Sequence, residues 1–329
     1  MSQTLRFSLP LPFDAARLRL WPLLLPLLLV ALSACAAGPK GVATPAPARY
    51  SMELSSSGEQ ADAGSVQFIG TATLIIRQLG LTILTDPNFL HKGDKIHIGY
   101  GLTSTRLTDP AIELSALPPI DVIVLSHFHE DHFDRMVQKG LDKNIPIITT
   151  VDAASKLREL GFNKVYAMDT WDAMQLNKGK AHLRITAMPG RHGSLMTAKA
   201  LPQVMGAVLD FTSSASRDTS YRIYISGDTL VYGDIEEIPR RYPGIDLALL
   251  HLGGTRVLGM VKVTMDGADG VRMMQIIAPD HAIPIHYNDY DVFKSPLSDF
   301  EKAVNEAGLS EKVSYLKPGE SFRFTLKKR

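Results

Sequence analysis

The stretch VIVLSHFHEDHFD, residues 122–134, decides how this chain folds. A run of branched apolar side chains, Val122 to Leu125, leads directly into His127, His129 and His132 and the acidic residues Glu130, Asp131 and Asp134. A short continuous apolar run of this kind fits a buried strand. The polar cluster after it has no use in ordinary core packing. Were residues 127–132 helical, His127 and His129 would lie about 200° apart around the axis and could share no ligand. In an extended or looped segment, positions 127, 129 and 131 project to one side and His132 turns to the other. Imidazole nitrogen and carboxylate oxygen suit a divalent metal such as zinc. The four groups can serve two adjacent ions, His127 and His129 for one, Asp131 and His132 for the other.

A binuclear site needs further ligands, and later strand ends offer them. AMPGRHG supplies His192, YISGDT supplies Asp228, whose carboxylate can bridge two cations, and AIPIHYND supplies His286. The expected sets are His127, His129 and His192 with Asp228, and Asp131, His132 and His286 with Asp228. His251 closes the strand DLALLHL before Gly253-Gly254. It is taken as a catalytic candidate facing the cleft as general acid or substrate contact, the alternative being a hydrogen-bonded core histidine. Asp131 is the other catalytic candidate, orienting the nucleophile as well as binding metal. His91, His97, His182 and His281 are read as non-ligands.

The 329 residues are 45% hydrophobic and 21% charged, an ordinary globular composition with length for a sizeable core. A net charge of +1 gives no field that argues for a nucleic-acid partner. Near the N-terminus, Arg6, Arg17 and Arg19 precede LWPLLLPLLLVALSAC, too short and too broken by Pro22 and Pro26 for a comfortable membrane span. Leu32-Ser33-Ala34-Cys35 resembles a bacterial lipobox, so residues 1–35 are read as a lipoprotein signal peptide ending at a lipidated Cys35. That places the protein in the bacterial cell envelope, attached to a membrane by its lipid. Cys35 is the only cysteine, which excludes an internal disulfide and a cysteine metal ligand. Residues 36–64, rich in Ala, Pro, Gly and Ser, read as a flexible tether. Residues 65–329 form the catalytic body.

Within the body, β-rich runs between 65 and 87 are punctuated by Gly70 and Gly80, and residues 88–118 look like a long loop outside the core. Strands are expected at IPIITT, AHLRITAMP, GAVLDFT, YRIYIS, DLALLH and HAIPIH. Helices are expected in FDRMVQKGL, in DAASKLRELG, and near 267–277 and 297–307. The mixture is an α/β layered domain. Residues 88–118 and 194–206 are the expected cleft walls.

HFHEDH, followed in order by PGRHG, SGDT and IPIHY and preceded by GTATLIIRQLGLTILTDP, resembles the metallo-β-lactamase superfamily. The pattern is similar to its branch of ascorbate-phosphate lactonases and the phospholipase D that hydrolyses N-acyl-phosphatidylethanolamines. The resemblance runs from about 66 to 290 and implies an αββα sandwich with metals in a cleft at one edge of two packed sheets. It also implies that Asp86 of TDP orients a ligand histidine, where local sequence alone equally allows a turn-forming Asp before Pro87. Asp134 divides the same way, between support of the site and a helix N-terminal charge. Common class B β-lactamases place a cysteine where this chain has Asp228, and diiron reductases a carboxylate where it has His129. The phospholipase-like relatives often carry a histidine where Met265 stands.

The expected activity is hydrolysis by hydroxide bound to two divalent metals, zinc foremost with manganese or iron as alternatives. A phosphodiester is the first substrate class, a lactone or amide the second. A metal-binding envelope protein without turnover is the third reading.

Overall fold

The computed structural model describes residues 46–56, 63–98, 101–257 and 261–328. Cys35, the lipobox and the first part of the expected tether lie outside the described residues.

Two mixed sheets pack face to face. The first runs Ser321–Thr325, Ala63–Gly70, Thr73–Gln78, Leu81–Thr85, Val122–Val124, Ile147–Thr150, Val165–Met168; its last four strands are parallel. The second runs Tyr50–Leu54, Ala173–Lys178, Ala181–Pro189, Met205–Ser213, Ser216–Ile225, Leu247–His251, His281–Ile285, and is again parallel across its last three strands. Strand alternation divides the core into layers. Leu74, Ile76, Val122 and Val124 join Leu183, Ile185, Leu209, Ile223 and Leu249 between the sheets. Ile75, Leu84 and Ile123 point the other way, onto Val137, Ala153 and Leu157 of the helices Arg135–Gly140 and Val151–Glu159. Val208, Tyr224 and Leu250 do the same on the second sheet, onto Val271, Met274, Phe300 and Val304 of Gly267–Ile277 and Leu297–Glu306. Strands buried on both faces must be apolar throughout, which is why 122–125 reads as an unbroken apolar run. The architecture is the expected αββα sandwich.

Helix starts are set by local chemistry. Asp266 accepts from Asp269 N at 3.0 Å in a capping box, so this residue of the MDGAD stretch starts a helix. Asp134 caps Arg135–Gly140 through Met136 N (2.7 Å) and Val137 N (2.9 Å), and also accepts from Phe89 N and Leu90 N. Its alternatives resolve to the helix cap.

Two expectations need correction. The tether reading of 36–64 fails at Tyr50–Leu54, which pairs in parallel with Ala173–Lys178, Tyr50 opposite Met174. Its alternate residues Tyr50, Met52 and Leu54 pack on the core between the sheets, a period-two pattern hidden by its Ala/Pro/Ser flanks. Residues 88–118 are not all outside the core either. Phe89, Leu90 and Ile96 are fully buried, and Lys95–His97 pairs with Thr103–Thr105. Arg106 is buried as well, bonded to Asn88 and the Thr108 carbonyl and lying over the Tyr290 ring.

Candidate metal centre

Every expected ligand follows a strand, and those strand ends meet at one edge of the sandwich, outside the carboxyl ends of the parallel strands where ligands characteristically bind. The loop 127–132 follows Val122–Val124, and His192 follows Ala181–Pro189. Asp228 follows Ser216–Ile225, and His286 follows His281–Ile285. Seven side chains form two groups, each with its ligand atoms within 4.8 Å of one another: His127, His129 and His192 in one, Asp131, His132, Asp228 and His286 in the other. All are buried except the half-buried His129.

Asp228 stands between the groups. Its Oδ2 lies 3.2 Å from His132 Nε2 and 4.0 Å from His127 Nε2, and its Oδ1 lies 3.6 Å from His286 Nδ1. Asp131 Oδ2 lies 3.3 Å from His286 Nε2 and 3.9 Å from His132 Nε2. Gly227 makes the turn before Asp228 at φ +62, where an added Cβ would meet the Met205 carbonyl at 2.6 Å.

The ring orientations are fixed from behind. His192 Nδ1 is 2.8 Å from the Val263 carbonyl, and His286 Nδ1 is 3.2 Å from that of Leu252, so both can donate there and turn Nε2 toward the centre. His127 Nδ1 meets Ser126 Oγ at 3.0 Å. His132 Nδ1 lies 3.3 Å from Asp86 Oδ2, while Asp86 Oδ1 accepts from Ser126 N at 2.6 Å. Asp86 thus orients a member of the cluster, as the family resemblance implied. Asp86 and His286 hold left-handed backbone, φ 36 and 60, a strained conformation for residues with a Cβ that is met at functional sites. His286 N anchors its turn on the Thr71 carbonyl at 2.7 Å.

The placement of His251 overturns the cleft-facing expectation. Its ring is fully buried and stacked on His132 at 5.9 Å. Nε2 lies 3.2 Å from Asp86 Oδ2, and Nδ1 lies 3.3 Å from Ser226 Oγ. It sits behind the cluster against Asp86 and does not line the cleft, which is the hydrogen-bonded core alternative. Asp86, His132 and His251 also lie close enough to form a third group, but the Asp86 carboxylate and both His251 nitrogens have protein partners there. The other histidines lie elsewhere: His91 meets Glu113 at 3.1 Å and His182 meets Asn177 at 2.7 Å, and neither they nor His97 and His281 join a cluster.

The electrostatics suit a cation. Burial, with His192 beside it, pushes His129 down to about 3, and burial lowers His127 and His192 as well. All three imidazoles are neutral, the ligating form. Burial opposes the charge on Asp131 and Asp228, yet the facing imidazoles of His132 and His286 keep both carboxyls below the usual range. Asp228 Oδ1 is buried without a hydrogen-bond partner among the described residues, and His132 Nε2 faces only the Asp228 and Asp131 carboxylates. An orphaned atom of that kind in a nitrogen and oxygen donor set fits a divalent metal.

The cleft beside the cluster is lined by His129, Asp131, His192 and Asp228, with Ile98, Leu201, Thr255 and Arg256 around them. Both expected wall segments therefore contribute, through Ile98 and Leu201. The hairpin of Arg256–Val257 and Val261–Lys262 is a wall that sequence reading missed, because two-residue strands leave no periodicity to find.

The chain matches the Beta-lactamase superfamily domain over residues 82–287. It is similar to a UPF0173 metal-dependent hydrolase of Methanosarcina mazei, 28% identical over 69% of this chain and 95% of that protein. Another, from Staphylothermus marinus, is 30% identical over 68% of this chain and 91% of that protein. Among solved structures, an isothiocyanate hydrolase from Delia radicum gut bacteria shares the fold at a TM-score of 0.65 and 19% identity, over 79% of this chain and 99% of that one. A metallo hydrolase from Ignicoccus hospitalis gives 0.56 and 22%, over 80% and 100%. The matched span reaches from the strand before Asp86 to just past His286, and the chain belongs to the metallo-β-lactamase superfamily, among its UPF0173 metal-dependent hydrolases.

Proposed function

We propose that the chain hydrolyses a phosphodiester, in the manner of a phospholipase D, at a site holding two zinc ions. The position of Asp228 carries this reading. A carboxylate 3.2 Å from His132 and 4.0 Å from His127 stands where one group can be shared by two cations. Divalent ions held by these residues would supply an acidified water and charge stabilisation for a displacement at phosphorus.

The chain's own residues have separate tasks. His127, His129 and His192 offer neutral imidazoles on one side, and Asp131, His132 and His286 complete the other. Asp131 also lines the cleft, where its carboxylate can accept a hydrogen bond from the attacking water and orient it. Ile98, Leu201 and Val263 exclude bulk water from one side of the centre. The exposed cation Arg256 favours an anionic ester over a neutral lactone.

The test is turnover of bis(4-nitrophenyl) phosphate by the purified full chain loaded with zinc, alongside a panel of lactones. Diester hydrolysis that disappears on chelation and returns with zinc is expected. Lactone turnover without diester turnover would contradict the proposal.

A further inference from the structure

The hairpin that walls the cleft is tied to the metal centre at its base. Val263, just after its second strand, accepts from His192 at 2.8 Å through its carbonyl, and its amide donates to the Thr255 carbonyl at 2.9 Å. Thr255 N donates to Thr264 Oγ1 at 2.8 Å, and Gly254 N donates to the Met265 carbonyl at 2.9 Å. A group on this hairpin is therefore held in register with ligand His192.

Arg256 is that group. It lines the cleft with His129, Asp131, His192 and Asp228, and it also lines a neighbouring cavity of about 410 Å³. The cations around it are committed. Lys262, opposite Arg256 on the hairpin, is bonded to Asp266 at 2.8 Å and Asp269 at 2.5 Å. Lys294 donates to the Asp291 carbonyl at 2.7 Å, and Lys302 lies 3.9 Å from Glu306. Arg191, beside His192, lies over the Tyr232 ring at 4.1 Å, with its Nε buried and unpartnered among the described residues. The Arg256 side chain is exposed and makes no hydrogen bond or ion pair among the described residues, although its charge helps hold the Asp266 carboxyl of the same cavity below the usual range. Next to it, Thr255 Oγ1 is buried with no hydrogen-bond partner among the described residues, and Thr255 lines the same cleft. A forked guanidinium and an unused hydroxyl side by side make a receptor for an oxyanion.

We propose that Arg256, with Thr255, binds a second anionic group of the substrate, a carboxylate or phosphate on the arm that runs from the scissile ester into the 410 Å³ cavity. This rests on the phosphodiesterase reading: the scissile group occupies the metal centre, and Arg256 reads what is attached to it. Arg256 is then a specificity determinant that selects doubly charged diesters.

Two unreactive ligands test it, phenylphosphonate and 4-carboxyphenylphosphonate, titrated calorimetrically into the zinc-loaded full chain. The wild-type protein should bind the carboxylate-bearing ligand about tenfold tighter, the scale of one hydrogen bond to a charged group. Arg256→Gln should abolish that preference, and Arg256→Lys should retain part of it. Equal binding by the wild type, a preference that survives Arg256→Gln, or no binding of either phosphonate would each overturn the assignment. Turnover of bis(4-nitrophenyl) phosphate, which lacks a second anionic group, reports separately on the phosphodiesterase reading, since its absence would sink that reading while the phosphonates still decide Arg256.

Discussion

One loop feeds two halves of the centre, and the halves differ in how they carry charge. On the side of His127, His129 and His192 burial dominates and the imidazoles stay neutral, with His129 down to about 3. On the side of His132 and His286 burial pulls the same way, but Asp228 and Asp131, joined at His132 by Asp86, outweigh it and raise both histidines above the ordinary value. The first half is a set of neutral donors. The second is a set of carboxylates whose charge either protons or a metal ion must balance. The lesson is that residue type alone does not set ligand character; the number of carboxylates facing each ring does.

Removing the residue common to both halves should do the most. Asp228→Ala should lower zinc content in both halves, with a loss of turnover above about a hundredfold, beyond what outer partners of metal ligands usually cost. Elemental analysis and kinetics together check this, and full zinc content in the variant would mean that Asp228 is not shared. Next come single removals on either side. His127→Ala and His286→Ala should each lose one of two zinc ions while keeping the other, read as stoichiometry by elemental analysis. Loss of both ions in one variant and neither in the other would erase the division into halves.

A smaller effect is expected behind the ligands. Asp86→Ala leaves His132, His251 and Ser126 N without their carboxylate, and should weaken zinc binding on the His132 side by about 10- to 100-fold. Competition with a fluorescent chelator measures it, and an unchanged affinity would reduce Asp86 to a turn residue. The gentlest probe is pH. A proton competes with the metal for the same ring nitrogen, and the competition begins at higher pH where the ring's pKa is raised. As pH falls, zinc should therefore leave the His132/His286 half first, while the three-histidine half holds its ion to lower pH. Stepwise dialysis with elemental analysis would show two stages, and a single stage would remove the electrostatic contrast.

The clustering of these side chains was legible in the sequence because the candidate ligands sit where apolar runs end. Strand ends are marked locally, by Leu125 giving way to Ser126-His127 or Ile285 to His286, and the order of those marks matches one fold. The helix expected near 267–277 is present at Gly267–Ile277, although the capping role of Asp266 was not singled out. What stayed hidden depends on partners far along the chain. His251 looks like a cleft residue until Asp86, 165 positions away, is found against its Nε2. Tyr50–Leu54 looks like tether until Ala173–Lys178 supplies its neighbour. The stretch 88–118 looks like loop because its buried residues Phe89, Leu90 and Ile96 are scattered among polar ones that bond across to Asp289 and Asp291. Arg256 carries no local mark at all, since its meaning comes only from the cleft it lines.

The central claim is tested most directly by anomalous diffraction at the zinc edge from crystals of the zinc-loaded protein. Two peaks are expected, one among His127, His129 and His192 and the other among Asp131, His132 and His286, with the Asp228 carboxylate between them. A single peak, or one seated among Asp86, His132 and His251 instead, would contradict it.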